Sequence, residues 1–222
     1  MKPRIVQLIA ITCILFAATF SSHAQDAEAV HGQQGELYGN PYLIREWSDG
    51  AVTFTSGRVV KQFRLRFDCV NNQLLLQFQG STFAAESKVK EFVLYTGPGK
   101  KKDSLVFRKG YPAIGKGSEN TYYQVLMEEK VQLLRLISKN IVEEKELISA
   151  GKNVRGRLVD EEIFYLLKDG AMVHLPADKD ILLKAFSDKA DALSAFINEK
   201  KLRFKTQGDY LQLARKYNEL LQ

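Results

Sequence analysis

Apolar and polar residues alternate in short runs over much of the chain, and residue pairs that favour tight turns separate these runs. Phe63, Leu65 and Phe67 alternate with charged residues, which places apolar side chains on one face of a strand and charges on the other. Asp169-Gly170 lies between two apolar runs, and such a pair favours the two-residue turn of a β-hairpin. The pattern therefore predicts an antiparallel sheet arranged as a β-meander, a sandwich or an open barrel.

The period of the apolar residues changes along the chain. Strands are predicted at 51–55, 58–61, 63–67, 73–78, 90–95, 103–108, 122–127, 131–138, 162–168 and 171–175. After Pro176 the period becomes 3.6, which predicts three amphipathic C-terminal helices that pack on the sheet or on each other. Their predicted N-caps are Asp178, then Ser187 or Asp188, and finally Thr206. The predicted fold class is therefore α+β.

The N-terminus has the composition of a secretory signal peptide. Two basic residues precede the apolar run 5–20, and small residues close that run before a cleavage site between Ala24 and Gln25. The run is shorter than the roughly 20 residues that a membrane-spanning helix needs. We therefore expect a mature chain of residues 25–222 that is periplasmic, secreted or at the cell surface. The alternatives are a retained N-terminal anchor and a lipid attached to Cys13.

The predicted organisation has four parts. A signal peptide (1–24) and a flexible leader (25–39) precede an antiparallel β domain (40–150), and a β-hairpin with C-terminal helices (151–222) packs on that domain. Within the last two parts, residues 139–161 fit either a helix or a strand, and 151–157 are expected to form a basic, mobile loop.

Cys69 is the only cysteine that remains after signal-peptide cleavage, so the mature chain forms no internal disulfide. A chain of this size buries enough surface to fold without one. Cys69 lies at the end of an apolar strand, which favours a buried, apolar role. A reactive or intermolecular thiol is the alternative.

The sequence contains partial matches to catalytic and ligand-binding motifs, but no complete motif. Residues 110–117 resemble a phosphate-binding loop but lack the hydroxyl residue after the lysine. Ser87–Lys90 fits a serine-acylation motif whose partner motifs are absent from the sequence. No histidine or cysteine spacing fits a zinc site. The sequence therefore predicts no catalytic residue, no cofactor and no metal. The acidic clusters 143–144 and 160–162 leave open a pair of catalytic carboxylates.

The charge of the chain is mildly basic. The net charge is +6, and its 32 basic and 26 acidic residues are well mixed, which favours solubility and does not indicate a nucleic-acid-binding protein. Two basic clusters either keep sheet edges soluble or contact anionic envelope polymers and lipid headgroups. The candidate contacts are Lys100, Lys101, Lys102, Lys152, Arg155 and Arg157.

Trp47 is the only tryptophan, and it is predicted to be a structural anchor that attaches the leader to the sheet. The sequence pattern around Trp47 includes Gly39-Asn40-Pro41-Tyr42-Leu43 and Gly50-Ala51-Val52. Further segments belong to the same pattern: 65–68, 72–74, 165–170 and 202–205. Together these segments resemble a family of exported, uncharacterised β-rich proteins of Bacteroidota. The resemblance implies a periplasmic or surface location and a β-rich domain with terminal helices. It implies no activity, cofactor or catalytic residue.

These observations favour a non-enzymatic protein of the cell envelope, a binding or scaffold module for an envelope protein or polymer. Two alternatives stay open. One is a hydrolase of envelope glycans or peptidoglycan with unrecognised carboxylates. The other is a protein that binds polyanions or makes peripheral membrane contact through its basic loops. The sequence leaves the oligomeric state undetermined.

Overall fold

The computed structural model describes residues 37–97, 103–148 and 151–222, without the side chains of 37–38, 144–148 and 151–155. The described residues belong to one compact unit. Among them, no helix combines the length and the apolar character that crossing a membrane requires.

The described chain contains twelve strands followed by helices, which confirms the predicted α+β class. The strands are β1 Leu37–Tyr38, β2 Ser48–Phe54, β3 Val59–Val60, β4 Arg64–Asp68, β5 Gln73–Phe78, β6 Ser81–Ala84, β7 Val89–Thr96, β8 Asp103–Arg108, β9 Tyr123–Glu128, β10 Gln132–Ile148, β11 Gly151–Lys168 and β12 Ala171–Leu175. The helices are α1 Lys179–Lys184, α2 Ala190–Lys200 and α3 Gln207–Leu220, and a 3₁₀ turn, Ser187–Lys189, precedes α2.

The strands form an open, mostly antiparallel sheet in the order β1-β11-β10-β9-β8-β7-β2-β4-β5-β6, with β12 beside β11 and β3 beside β2. Strand β2 divides its pairing: Ser48 and Asp49 pair with β4, and Gly50 to Phe54 pair with β7. A Cβ atom at Gly50 would lie 2.2 Å from the carbonyl oxygen of Val93, so this crossing point requires glycine. Because β2 pairs with β4 at one end and with β7 at the other, β4, β5 and β6 form a second layer over β2, β7 and β8.

Two hydrophobic clusters lie side by side on the inner face of the main sheet. The first lies between the two sheet layers and contains the rings of Phe67, Phe92 and Phe107 with centroids about 5 Å apart. The second lies under the helices, where Tyr217 and Leu166 are fully buried. Both layers that pack on the sheet therefore share one of its faces.

A third cluster, called the tyrosine cluster below, lies on the opposite face of the sheet. It contains Tyr111, Tyr123 and Tyr165, whose rings meet edge to face. The loop that resembles a phosphate-binding loop lies against it, because Ile114 packs on the cluster and Gly117 contacts the Tyr123 hydroxyl.

Two of the three predicted helix caps are confirmed. Asp178 accepts a hydrogen bond from the N–H of Ile181 at 3.0 Å, and Thr206 accepts one from Asp209. The cap predicted at Ser187 or Asp188 is wrong, because both residues lie in the 3₁₀ turn and α2 begins without a side-chain cap. The Asp188 carboxylate instead accepts a hydrogen bond from the Tyr217 hydroxyl at 2.9 Å.

Two predictions about irregular segments need correction. The leader does not extend to 39, because Leu37–Tyr38 pair in parallel with β11; its earlier part lies outside the described residues. Residues 151–157 are not a loop but the first part of β11, which pairs with β10 from Gln132 to Ile148. The glycines of 151–157 suggested a loop with unpaired backbone groups. The long ladder between β10 and β11 instead gives those groups hydrogen-bond partners. The division predicted at 150 therefore falls inside one hairpin.

Candidate functional site

An open cleft of about 540 Å³ lies between hairpins β2–β3 and β5–β6 in the described residues. Its volume is within the roughly 300–1,000 Å³ of small-ligand sites. We call it the aromatic cleft, because three phenylalanines share its lining. The lining residues are Phe54, Thr55, Ser56, Arg58, Phe63, Leu76, Phe83, Ala84, Glu86, Lys88 and Val89.

The register of the β5–β6 hairpin places Phe83 in the aromatic cleft. Gln79 and Gly80 both have positive φ angles, 49° and 83°, as a tight two-residue hairpin turn requires. That turn pairs Phe83 with Leu76, so both side chains lie on the same face of the sheet. Within the described residues no further strand follows β6 in the sheet, and the Phe83 side chain stays 43% exposed.

Phe63 forms the aromatic wall next to Phe83. Its ring meets those of Phe78 and Phe83 edge to face, with centroids 5.8 and 6.0 Å apart. Such pairs contribute about 0.5–1.5 kcal/mol beyond the area that they bury. An exposed ring held in this way is available to a ligand without rearrangement.

Backbone hydrogen bonds fix the opposite wall of the aromatic cleft. The N–H of Thr55 donates to the carbonyl oxygen of Lys88 at 2.8 Å, and the N–H of Val89 donates to that of Glu86 at 3.1 Å. These bonds join the end of β2 to the segment that leads into β7. Backbone hydrogen bonds thus hold this wall of the cleft together.

The rim of the aromatic cleft carries two cations and one carboxylate. The Arg58 guanidinium lies 4.9 Å from the centroid of the Phe54 ring, a cation–π contact that leaves its N–H donors free for a ligand. In the described part of the chain, neither Arg58 nor Lys88 forms an ion pair, and Glu86 is the one carboxylate of the lining. The cleft therefore suits an apolar or aromatic group with a negative charge beside it.

The predicted basic contacts are not part of this cleft. Lys100, Lys101 and Lys102 lie outside the described residues. Lys152 and Arg155 are described only as backbone of β11, opposite Leu147 and Glu144. Arg157 is exposed on the same strand. The described structure thus does not bring the six residues together.

Trp47 contacts the second sheet layer. The guanidinium of Arg66 on β4 lies between the rings of Tyr42 and Trp47, 3.8 and 4.3 Å from their centroids. The carbonyl oxygen of Trp47 also accepts a hydrogen bond from Arg64. These contacts attach the segment before β2 to the sheet. That Trp47 anchors the leader itself stays a prediction.

The acidic cluster 160–162 is engaged in ion pairs along β10 and β11. Asp160 pairs with Lys139 and Glu162 with Arg135, each at 3.0 Å. Glu161 accepts hydrogen bonds from Lys116 and Asn140, and the lysine holds the pKa of Glu161 below its usual range. A catalytic acid needs the opposite shift. Of the other acidic pair, Glu143 is exposed and the Glu144 side chain is not described.

The acylation motif and Cys69 also have structural roles. The acylation motif must begin a buried helix, but Ser87 and Lys88 form a turn before strand β7. Cys69 is 1% exposed, and burial raises the pKa of its thiol to about 12. The thiol is therefore neutral and inaccessible, as expected for a buried apolar residue.

Within the described residues, no group of three or more histidine, cysteine, aspartate and glutamate side chains is placed to hold a metal ion. Comparisons with family models, curated proteins and solved structures found no match. The resemblance to exported proteins of Bacteroidota stays a prediction.

Sequence reasoning missed the aromatic cleft, because its phenylalanines come from three separate segments. Of the three phenylalanines, Phe83 was the one whose sequence context best indicated an exposed ring. It is the one aromatic residue in the polar stretch 79–90, where nothing in the sequence pattern gives it a buried partner.

Proposed function

We propose that this chain is an exported, non-enzymatic binding module of the cell envelope and that the aromatic cleft is its binding site. The observation that carries the proposal is the composition of this cleft, which is lined by an exposed phenylalanine and by two cations that lack ion-pair partners among the described residues. Sites of this kind combine apolar walls with a few polar groups that orient the ligand.

The composition of the cleft favours binding over hydrolysis. Hydrolysis of a glycan needs two carboxyl groups about 5–10 Å apart, whereas Glu86 is the single carboxylate of the described lining. Nothing in the described residues specifically favours the polyanion alternative either. The mature protein should therefore release no soluble product from purified peptidoglycan, as measured by chromatography.

Export is the part of the proposal that the N-terminal composition supports. The test is N-terminal sequencing of protein recovered from fractionated cells. We expect mature protein that begins at Gln25 in the periplasmic or extracellular fraction. Intact protein with Met1 in the cytosol would contradict export.

Binding is tested with tagged mature protein and an envelope extract of its own cells. Phe83→Ala removes the exposed ring of the cleft, whereas Ile181→Ala removes a side chain that is 54% exposed on α1. The second variant is a matched control, because it also truncates an exposed apolar residue. We expect wild type and Ile181→Ala to recover the same component by mass spectrometry, and Phe83→Ala to lose it. Equal recovery by all three proteins would refute the cleft as the binding site.

A further inference from the structure

Strand β6 has an unused edge beside the aromatic cleft. In an antiparallel pair, alternate residues direct their N–H and C=O groups towards the partner strand. The N–H of Ala85 bonds to Leu74 on the β5 side at 2.8 Å, and the turn makes Phe78 and Ser81 a hydrogen-bonded pair. Thr82 and Ala84 therefore direct their backbone groups away from β5. In the described residues no strand pairs with them.

The same alternation fixes where a strand added at this edge would place its side chains. A residue opposite Phe83 would form a non-hydrogen-bonded pair, in which the two side chains lie closest. Its side chain would be on the Phe83 face, which is the face of the cleft. Its two neighbours would lie opposite Thr82 and Ala84 and would form the hydrogen bonds. The next residue on either side would face the cleft rim.

The net positive charge of the cleft rim favours an added strand that carries acidic residues. Arg58 and Lys88 outnumber Glu86, and the two cations have no ionic partner in the described residues. An acidic residue two positions from the residue in the cleft would thus reach a complementary rim. Opposite charges at exposed sites contribute little each, but they discriminate against basic sequences.

The geometry points to an extended peptide as the ligand: a segment that adds a strand to β6, inserts an aromatic or large aliphatic residue into the aromatic cleft, and carries acidic residues two positions away. This inference rests on the proposed function of the cleft and specifies its ligand. The free backbone groups of Thr82 and Ala84 distinguish a peptide from a simple amphiphile, because only a peptide satisfies them with its own donors and acceptors.

The experiment uses ¹⁵N-labelled mature protein and three synthetic probes. The first is acetyl-Glu-Thr-Phe-Thr-Glu-amide. The second replaces both threonines with proline, which removes the N–H groups that would bond to β6 and keeps the ring and the charges. The third replaces both glutamates with lysine. Affinity comes from chemical-shift titration, and hydrogen exchange reports the amides of Thr82 and Ala84.

We expect the first peptide to bind, to slow exchange at Thr82 and Ala84, and to leave Phe83 exchange unchanged, because the Phe83 N–H already faces β5. The proline and lysine peptides should bind more weakly. Arg58→Glu should weaken the first peptide about fivefold and Glu86→Lys should strengthen it, and both effects should shrink at high salt.

The outcomes separate this inference from the proposed function. Equal binding of the proline peptide, abolished by Phe83→Ala, would overturn strand addition and leave the cleft as a binding site. If no peptide shifts the cleft resonances, a fourth probe, 1-anilinonaphthalene-8-sulfonate, supplies an aromatic ring with an anionic group. Its binding at the cleft would overturn only the peptide inference, and its failure to bind there would overturn both proposals.

Discussion

Removing one hydroxyl from the tyrosine cluster should stabilise this protein. Tyr123 is fully buried, and its hydroxyl oxygen has no hydrogen-bond partner in the described residues. Burial without a partner also raises the pKa of Tyr123 to about 12. The hydroxyl lies so close to the Cα of Gly117 that a Cβ atom there would be 1.8 Å away. Tyr123→Phe deletes this oxygen and keeps the ring.

The magnitude follows from two opposing effects. A buried hydroxyl without a partner costs about 1–3 kcal/mol, and Tyr123→Phe removes that cost. The substitution also leaves a small gap, which forfeits a few contacts of about 0.1–0.2 kcal/mol each. We therefore expect the free energy of unfolding to rise by about 1 kcal/mol, which corresponds to about 2–4 °C in Tm for a chain of this size.

Tyr122→Phe is the matched control. Tyr122 is the neighbouring residue and is also buried, but its hydroxyl donates to the carbonyl oxygen of Val89 at 2.9 Å. Its loss leaves that buried acceptor without the bond, which costs about 1–2 kcal/mol. Urea unfolding followed by circular dichroism measures both variants. If Tyr123→Phe destabilises the protein as much as Tyr122→Phe, the Tyr123 hydroxyl has a partner and the reasoning is wrong.

Three further substitutions test other features. Asn218→Ala removes the acceptor of the Val131 N–H at 3.1 Å and should cost about 2 kcal/mol in urea unfolding; an unchanged midpoint would contradict this. Burial raises the pKa of Cys69 from 9.0 to about 12, so stability present below pH 9 should fall as pH rises, by about 1 kcal/mol between pH 9 and 10. Cys69→Ala should remove that part of the pH dependence, and an identical slope would refute the assignment. Gly50→Ala should prevent folding, judged by circular dichroism, because its Cβ would meet a backbone carbonyl of β7. Gly208→Ala, in α3 with ordinary contacts, should fold normally.

The central strands could be predicted because their residues alternate against a buried face. Strands β5 and β8 have the predicted bounds, Gln73–Phe78 and Asp103–Arg108. Asp169 and Gly170 have the positive φ angles, 51° and 77°, of the predicted hairpin turn. In these segments the local residue pattern and the tertiary environment favour the same structure. A structure can be predicted from sequence only where the two agree.

The remaining elements escaped prediction for identifiable reasons. All four residues of β6 are exposed, so no apolar alternation marks the strand. Residues 151–157 contain two glycines and three basic residues, a loop-like composition, but their pairing with β10 outweighs local preference. The aromatic cleft depends on the register of hairpins whose residues lie far apart in sequence. Such a register follows from strand pairing and not from composition.

The helices of this protein also determine when the molecule can finish folding. The inner face of β9 to β12 is covered by Tyr210, Leu213 and Tyr217 of α3, and Asn218 accepts a hydrogen bond from the N–H of Val131 in the turn between β9 and β10. During synthesis, the described strands therefore leave the ribosome before the helix side chains that cover the inner face of β9 to β12. A nascent chain in this interval would present a bare apolar surface. Such a surface is what chaperones recognise on nascent chains.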